Sequence, residues 1–435
     1  MPQHRDAVVV GGGLAGLAAA AYLGRAGRRV AVLEGAAAPG GRARSAARDG
    51  FTLNLGPHAL YRAGAGARVL RELGVPYAGA APKARGVLGW DGQALHLLPA
   101  GTAALVFTRL LGAAEKWELA RVLGALPRID TRPWQGRPAR DWLQETFPRR
   151  GSRAVAEFLI RVTTYADDPD RLSAGAALDQ VRLGLEKGVL YLDGGWQTLV
   201  AGLVAAVVGA GGSIASGDPV QAVRRHGRGW SVRLRSGEEW TADAAVLAVP
   251  PAAAARLLAG GEALTVGGWA EAAVPVRAAA LDLALRRLPR PSRRAAFGIH
   301  DPLYASVHSA TARLAPAGGA VLHLARYLGQ GPHPTTADIE AGLRAFGDVV
   351  QPGWRDEVHH ARLFPSLTVS HALPLAASGG LAGRPGPRVP GAAGLFVAGD
   401  WVGPEGLLAD ASLASARAAA RAILSAAPGA LRASA

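Results

Sequence analysis

The apolar run Val8-Val9-Val10 has no polar alternation, so it predicts a strand buried on both faces. Gly11-Gly12-Gly13 turns the chain. Leu14 to about Ala26 then carries small and large apolar residues at helical spacing until Gly27 stops the helix. Val30-Ala31-Val32-Leu33 reads as a second buried strand, ending on Glu34. Further along, Asp193-Gly194-Gly195-Trp196 turns into an apolar helix through Val208, and the Gly209 to Gly212 cluster reads as its C-cap. Pro219 to Arg225 pairs with Trp230 to Arg235 across His226-Gly227-Arg228-Gly229, and the clean alternation from Trp230 leaves one face solvated. Asp243 to Val249 is a buried strand ended by Pro250-Pro251. Gly394 to Ala398 is another, with an acid, Asp400, at its tip and an alanine-rich helix beyond, to about Leu424.

Between these segments the pattern is looser. A hairpin around Asp91-Gly92 precedes helices from Thr102 to Ala125. There Leu105, Leu110, Leu111, Trp117, Leu119 and Leu123 form an apolar face, with Arg109, Glu115, Lys116 and Arg121 opposite. Val274 to Leu285 is strand-like, and the basic run Arg286, Arg287, Arg290, Arg293, Arg294 reads as a solvated loop.

The first three elements carry chemistry. Strand, glycine turn, helix and second strand with a terminal acid about 20 residues on make a dinucleotide-binding unit. Gly11 makes the tight turn, Gly13 with Leu14 and Ala15 lets backbone approach a pyrophosphate, and Gly16 packs helix on strand. Glu34 accepts from a ribose hydroxyl. Pro39-Gly40-Gly41-Arg42 follows at once, a second loop whose glycines fold over the phosphates and whose Arg42 supplies a planar charge to pair with them. Gly56-Pro57-His58 closes the segment. A plain nicotinamide site has no need of this second clamp.

The stretch from Val8 to Arg44 resembles the N-terminal FAD signature shared by flavin amine oxidases, protoporphyrinogen oxidases and phytoene-type desaturases. Leu110-Leu111-Gly112-Ala113-Ala114-Glu115-Lys116, Asp167 to Ala174, Gly194 to Leu199 and Ala398-Gly399-Asp400-Trp401 extend the likeness over most of the chain. The resemblance implies an α/β fold: a Rossmann-like FAD-binding domain from discontinuous segments, 1–84, 189–258 and 373–435. A mixed substrate-binding domain from 85–188 and 259–372 completes it. It implies that Gly194-Gly195 and the strand at Val220 lie against the cofactor, the latter near the adenine. It also implies that Gly399 and Asp400 meet the ribityl chain and that the helix after Gly406, with Leu407 and Leu408, points its N-terminus at the flavin.

One departure separates the branches. Amine oxidases of this superfamily place an aromatic after the glycine equivalent to Gly406, where this chain has Leu407 and Leu408. A leucine wall suits a hydrocarbon or a large planar substrate. The reading is therefore an FAD-dependent, desaturase-like dehydrogenase or oxidase of an apolar small molecule, an isoprenoid or carotenoid-like chain or a porphyrinogen-like macrocycle. A flavin amine oxidase is the alternative. A non-catalytic protein of the same fold, binding prenylated or lipid partners as Rab GDP-dissociation inhibitors do, is a third. His58 and Trp401 are the candidate polar groups near the flavin, ahead of Tyr61, His308 and His371. His359-His360 cannot share a metal from adjacent positions, and no metal is expected.

Size and composition fit this reading. A chain of 435 residues exceeds one ordinary core, and 49% apolar with 19% charged residues is a globular composition. The absence of cysteine excludes a redox dithiol, a cysteinyl flavin link and an iron–sulfur cluster. The net charge of +15 favours anionic surfaces or acidic substrates, but no motif points to specific nucleic-acid recognition. The first strand begins by about residue 6, leaving no room for a signal sequence. Ala242 to Ala255, the nearest thing to a membrane span, is broken by Asp243, Pro250 and Pro251. A cytoplasmic protein is expected, with peripheral membrane contact compatible with its charge.

Overall fold

β1 (Gln3–Val10) lies parallel between β2 (Val30–Glu34) and the strand Glu239–Leu247, with Val9 level with Val32 on one side and Val246 on the other. Val8, Val9 and Val10 are at most 3% exposed, which is why the run shows no alternation. Burying each such side chain contributes about 1.5–3 kcal/mol. Val9, Val32 and Val246 pack towards α1 (Leu14–Arg25) and the C-terminal helix Leu408–Ser425; Val8, Leu33 and Leu247 pack towards Trp230, Val232 and Trp401. The computed structural model describes residues 3–83, 86–99, 101–332 and 334–426.

The sheet runs Ser213–Ser216, β2, β1, Glu239–Leu247, Gly229–Leu234, Val220–His226, and Leu395–Val397 adds in parallel beside Glu239–Leu247. Five parallel strands thus end at one edge. Their carboxyl ends interlock: Gly11 N–H donates to Leu33 O at 2.8 Å, Ala248 N–H to Val10 O at 2.8 Å and Ala398 N–H to Leu247 O at 3.1 Å. Parallel strands ending together leave a crevice, the usual ligand position in such sheets.

A second seven-stranded sheet, antiparallel but for one pair, runs Val358–Ser370, Val276–Leu285, Ala320–Leu328, Leu303–Val307, Ala295–Gly298, Val87–Trp90, Leu95–Leu97. Helices between residues 102 and 187 build a separate apolar core around Leu119, Phe147, Phe158 and Leu178.

One local expectation is corrected here. The stretch from Thr102 forms two helices, Thr102–Phe107 and Ala113–Ala125, and Trp117 is 67% exposed while Glu118 is buried. Glu118 sits on the inner face because Arg149 Nη1 (2.8 Å) and Ser152 Oγ (3.0 Å) satisfy its carboxylate. The basic run lies in the loop between Val276–Leu285 and Ala295–Gly298 with Arg286, Arg287 and Arg290 exposed, as expected, and hydrogen bonds tie it down. Arg293 Nη1 donates to Val349 O (2.9 Å) at the end of the Thr336–Val350 helix, Arg286 reaches the carbonyls of Asp356 and Val358, and Arg287 pairs with Glu357. Cations on terminal carbonyls satisfy orphan acceptors and oppose the helix dipole.

The second sheet holds the Gly56–His58 segment through a buried pair. Asp282 and His323 face each other across adjacent strands, both fully buried, with His323 Nδ1 2.6 Å from Asp282 Oδ1. Asp282 Oδ2 accepts the N–H of Gly56 at 2.9 Å, anchoring the Gly56–His58 segment. Removing one member leaves the other buried and uncompensated. Asp282→Ala is therefore expected to cost about 3–5 kcal/mol in urea unfolding, and adding His323→Ala to cost less than the sum of the single changes.

Candidate active site

The crevice at the strand ends opens into a cavity of about 820 Å³, which extends to Ala278, Ala280 and Leu367–Val369 of the second sheet. Its floor is the first glycine turn. Gly11 has φ +103, and a Cβ there would sit 2.6 Å from Ala248 O. A Cβ on Gly16 would lie 1.9 Å from Gly11 O, so Gly16 does not line the cavity but lets α1 start against the turn. A Cβ on Gly13 would meet nothing within 4 Å; it would stand in the cavity itself. Leu14 and Ala15 line the wall above, at the N-terminus of α1.

Glu34 lines the cavity at the tip of β2. Its Oε2 accepts Gly12 N–H at 2.7 Å and its Oε1 accepts Ala36 N–H at 2.8 Å, which fixes the carboxylate and leaves lone pairs for a diol. Gly40 (φ +130) and Gly41 (φ +53) fold the second loop over the same wall. Val220 lines the cavity near Glu34's neighbour Gly35, together with Pro219, Ala253, Arg256 and Leu257. Gly194 and Gly195 do not line it; a Cβ on Gly195 would strike Ser45 Oγ at 2.6 Å, so this turn packs on the Ser45–Asn54 hairpin instead.

Arg42 lines the cavity with its guanidinium tied to the wall through one nitrogen. Its Nη1 donates to Asp400 Oδ2 (2.9 Å) and to Val369 O (2.7 Å). Asp400, 1% exposed, also accepts from His371 N–H at 3.0 Å on Oδ2, and its Oδ1 lies 3.0 Å from His371 Nδ1. Burial alone would raise the Asp400 pKa; Arg42 and His371 outweigh it and hold the carboxyl well below the usual range. Asp400 is a fixed anion. Gly399 (φ +155) lies beside it on the wall, its N–H donating to Ser415 Oγ at 2.9 Å.

Neither residue singled out for proton chemistry has a free N–H. His58 Nδ1 lies 3.0 Å from Gly56 O and Nε2 3.2 Å from Arg42 O, and its ring stands edge-on to Trp196 at 4.9 Å. Burial lowers its pKa, so the imidazole is neutral and carries a single N–H, which donates to only one of these two carbonyls at a time. Trp401 is 2% exposed and spends its indole N–H on Val249 O (3.2 Å). Both line the cavity, as does Pro57, and shape it. Gly56 and Leu407 stand behind the wall, Gly56 on Asp282 and Leu407 buried at the N-cap of the C-terminal helix. His308 lies away from the cavity, stacked on Tyr191 at 3.8 Å and beside His323.

Trp196, Tyr165 and Asp410 line the wall without having been given a role there from the sequence, and Leu408, named above, lines it with them. Trp196, 4% exposed, has an indole N–H with no partner among the described residues. Tyr165 and Leu408 line the wall with φ +60 and +57, two of only three non-glycine residues in that region among the described residues. Such backbone costs about 1–3 kcal/mol and clusters at functional sites. Asp410 sits one turn into the C-terminal helix with its carboxyl against Gly64 and Gly66. Its Oδ1 accepts Gly66 N–H at 2.7 Å, while Oδ2 has no partner among the described residues. Burial, only partly offset by Gly66 N–H, pushes its pKa up to about 7. The two glycines were the available signal, since either Cβ would lie within 2.7 Å of this carboxyl.

The profile of the family described as flavin-containing amine oxidoreductase matches residues 14–273, which holds α1, Glu34, Arg42 and the strand at Val220. The chain belongs to that family. A Mycobacterium tuberculosis protein named as the flavin-containing monoamine oxidase AofH is 31% identical over 269 residues, 58% of each chain. Protoporphyrinogen oxidase of Bos taurus is 42% identical over 114 residues, 23% of this chain and 24% of that one. The chain thus spans under two thirds of the length of these curated relatives. Among solved structures, an oxidoreductase from Methanosarcina mazei superposes with a TM-score of 0.74 at 19% identity over 96% of this chain and 99% of that one, a likeness of fold.

The residues present fit the family's cofactor, FAD. The cavity has an anionic ribose site at Glu34, a glycine floor with room at Gly13, a fixed anion at Asp400 and an orphaned donor at Trp196. Leu408 and Ser412, in the first turns of the C-terminal helix, complete the wall, so that the helix's free N–H groups lie at the same end.

Two outcomes follow from the carboxylates. Arg42→Met leaves Asp400 underpaired and is expected to raise the FAD Kd about 10- to 100-fold by fluorescence titration. Because the folded pKa of Asp400 is depressed, its stabilisation is lost as pH falls, and in Arg42→Met that loss begins at a higher pH. Asp410 has the opposite sign. Its folded pKa is raised from 3.8 to about 7, so its contribution is complete at low pH and is lost as pH rises. Asp410→Asn is expected to flatten the decline in urea midpoint between about pH 4 and 7 relative to the parent chain.

Proposed function

We propose that the protein is an FAD-dependent dehydrogenase or oxidase of an apolar substrate, an isoprenoid or carotenoid-like chain or a porphyrinogen-like macrocycle. The observation that carries this reading is the wall built by Leu408 and Tyr165, held in costly left-handed backbone and joined by Leu367, Ala278, Ala280 and Pro57. The Tyr165 hydroxyl donates to Pro57 O at 3.2 Å and the Tyr61 hydroxyl to Thr163 O at 2.8 Å, so both rings present carbon. Glu34 and Asp400 are engaged by the chain's own donors, and Asp410 turns its carboxyl into the Gly64–Gly66 notch. The wall therefore offers a cationic amine little in exchange for its hydration. Bound FAD supplies the electron-pair acceptor. The chain's part is to hold the substrate against that acceptor and to keep water from it.

Oxidation of an amine is the second reading, favoured by the 269-residue match to the protein named as a monoamine oxidase. Anaerobic mixing of the FAD-loaded protein with each substrate class separates the two. A flavin band bleached by a porphyrinogen or a polyene precursor, and not by alkylamines, supports the first. Bleaching by amines alone overturns it. A protein that takes up no FAD overturns both and favours a non-catalytic binding role. Leu408→Asn keeps a residue that tolerates left-handed backbone and makes the wall polar. It is expected to lower kcat/KM for the apolar substrate about tenfold, expressed per bound flavin.

A further inference from the structure

Seven large apolar side chains stand exposed among the described residues, and four of them come from one short stretch: Leu97 (38%), Val106 (60%), Phe107 (76%) and Trp117 (67%). Local hydrogen bonds bring them to one corner. Thr108 Oγ1 donates to Leu97 O at 2.6 Å, and Lys116 Nζ donates to Val106 O at 2.7 Å, joining the strand end, the Thr102–Phe107 helix and the first turn of the Ala113–Ala125 helix. An apolar cluster of this kind marks an interaction site rather than ordinary surface.

The charges around it are of one sign. Arg109 and Arg121 are exposed, Lys116 is half-buried, and the Arg121 guanidinium lies 5.7 Å from the Trp117 ring centroid. The carboxylates of residues 86–125 are all committed. Asp91 accepts from Gln93 and Ala94 N–H, with His96 Nε2 2.7 Å away; Glu115 accepts from Gly112 and Gly151 N–H; Glu118 is buried against Arg149 and Ser152. Protruding aliphatic and aromatic groups framed by cations match an anionic bilayer surface. The apolar groups enter the acyl boundary, and the arginines and lysine meet headgroup phosphates.

We propose that Leu97, Val106, Phe107 and Trp117, framed by Arg109, Lys116 and Arg121, dock the protein on an anionic lipid surface. A two-fold contact between copies of this chain would set the same three cations against themselves. No helix among the described residues is long and apolar enough to cross a membrane, so the engagement is interfacial. The docking corner is one helix from the cavity. The Ala113–Ala125 helix packs on Arg150–Thr164, whose C-cap residue Tyr165 lines the cavity wall. The proposal is independent of which substrate the cavity takes.

The test uses flotation of the FAD-loaded chain with vesicles of phosphatidylcholine alone or mixed with phosphatidylglycerol. The expected result is flotation with the mixed vesicles only, and an apparent affinity at least about tenfold weaker for the Phe107→Ser/Trp117→Ser double variant. Both positions are exposed, and the double change leaves net charge untouched; flavin content and the near-ultraviolet circular dichroism verify the fold. Equal binding by parent and variant would assign the attraction to net charge alone and overturn the proposal. So would failure of the parent chain to float with anionic vesicles. A dimer in sedimentation velocity that the double variant abolishes would assign the corner to a second copy, and would overturn it too.

Discussion

The Asp400 carboxylate, 1% exposed, accepts from Arg42, from the second loop after the glycine turn, and from His371, from the connection out of the second sheet. Arg42 is 358 residues from Asp400 and His371 is 29, and none of them forms the cavity alone. A buried anion without partners is prohibitively costly, so the wall around Asp400 exists only when all three segments arrive together. The ribose end depends on the same economy. Glu34 is fixed by the N–H groups of Gly12 and Ala36, which the tight turn after β1 sets in place. Charge satisfaction and backbone geometry therefore define the cofactor side of the cavity.

The substrate side is built by different means. Its residues are apolar or have spent their polar atoms on backbone carbonyls, and its backbone is strained at Tyr165 and Leu408. Gly56 marks the seam between the two halves. Its N–H reaches across to Asp282 in the second sheet, while the neighbouring His58 bridges Gly56 O and Arg42 O. One short segment thus reports the position of both sheets to the cavity. The Asp282–His323 pair behind it carries no role in the wall itself; it fixes that seam.

The elements legible in the sequence were those whose pattern is local. A strand buried on both faces cannot alternate, so Val8-Val9-Val10 was readable. A glycine turn between strand and helix has few physical uses, so Gly11, Gly13 and Gly16 carried their meaning without neighbours. The Val220 hairpin and the strand at Val276 were visible for the same reason. The helices from Thr102 were visible as helices, but their inner face was not. Glu118 is buried because Arg149 and Ser152, some thirty residues on, satisfy it, and no helical period records such a partner.

The candidate site divides along the same line. Sequence alone determined the dinucleotide turn, the acid at Glu34 and the leucine pair after Gly406, because each is a short-range requirement of backbone geometry or side-chain type. Only the tertiary structure decided that Arg42 pairs with Asp400, that His58 and Trp401 have no spare N–H, and that Trp196 does. It also decided that Asp410, an ordinary helical acid by sequence, is buried in a notch cut by two glycines more than three hundred residues away. The physical reason is the same throughout. What a polar side chain can do is set by which donors and acceptors are left once the fold has used the rest, and that remainder is a property of the whole chain.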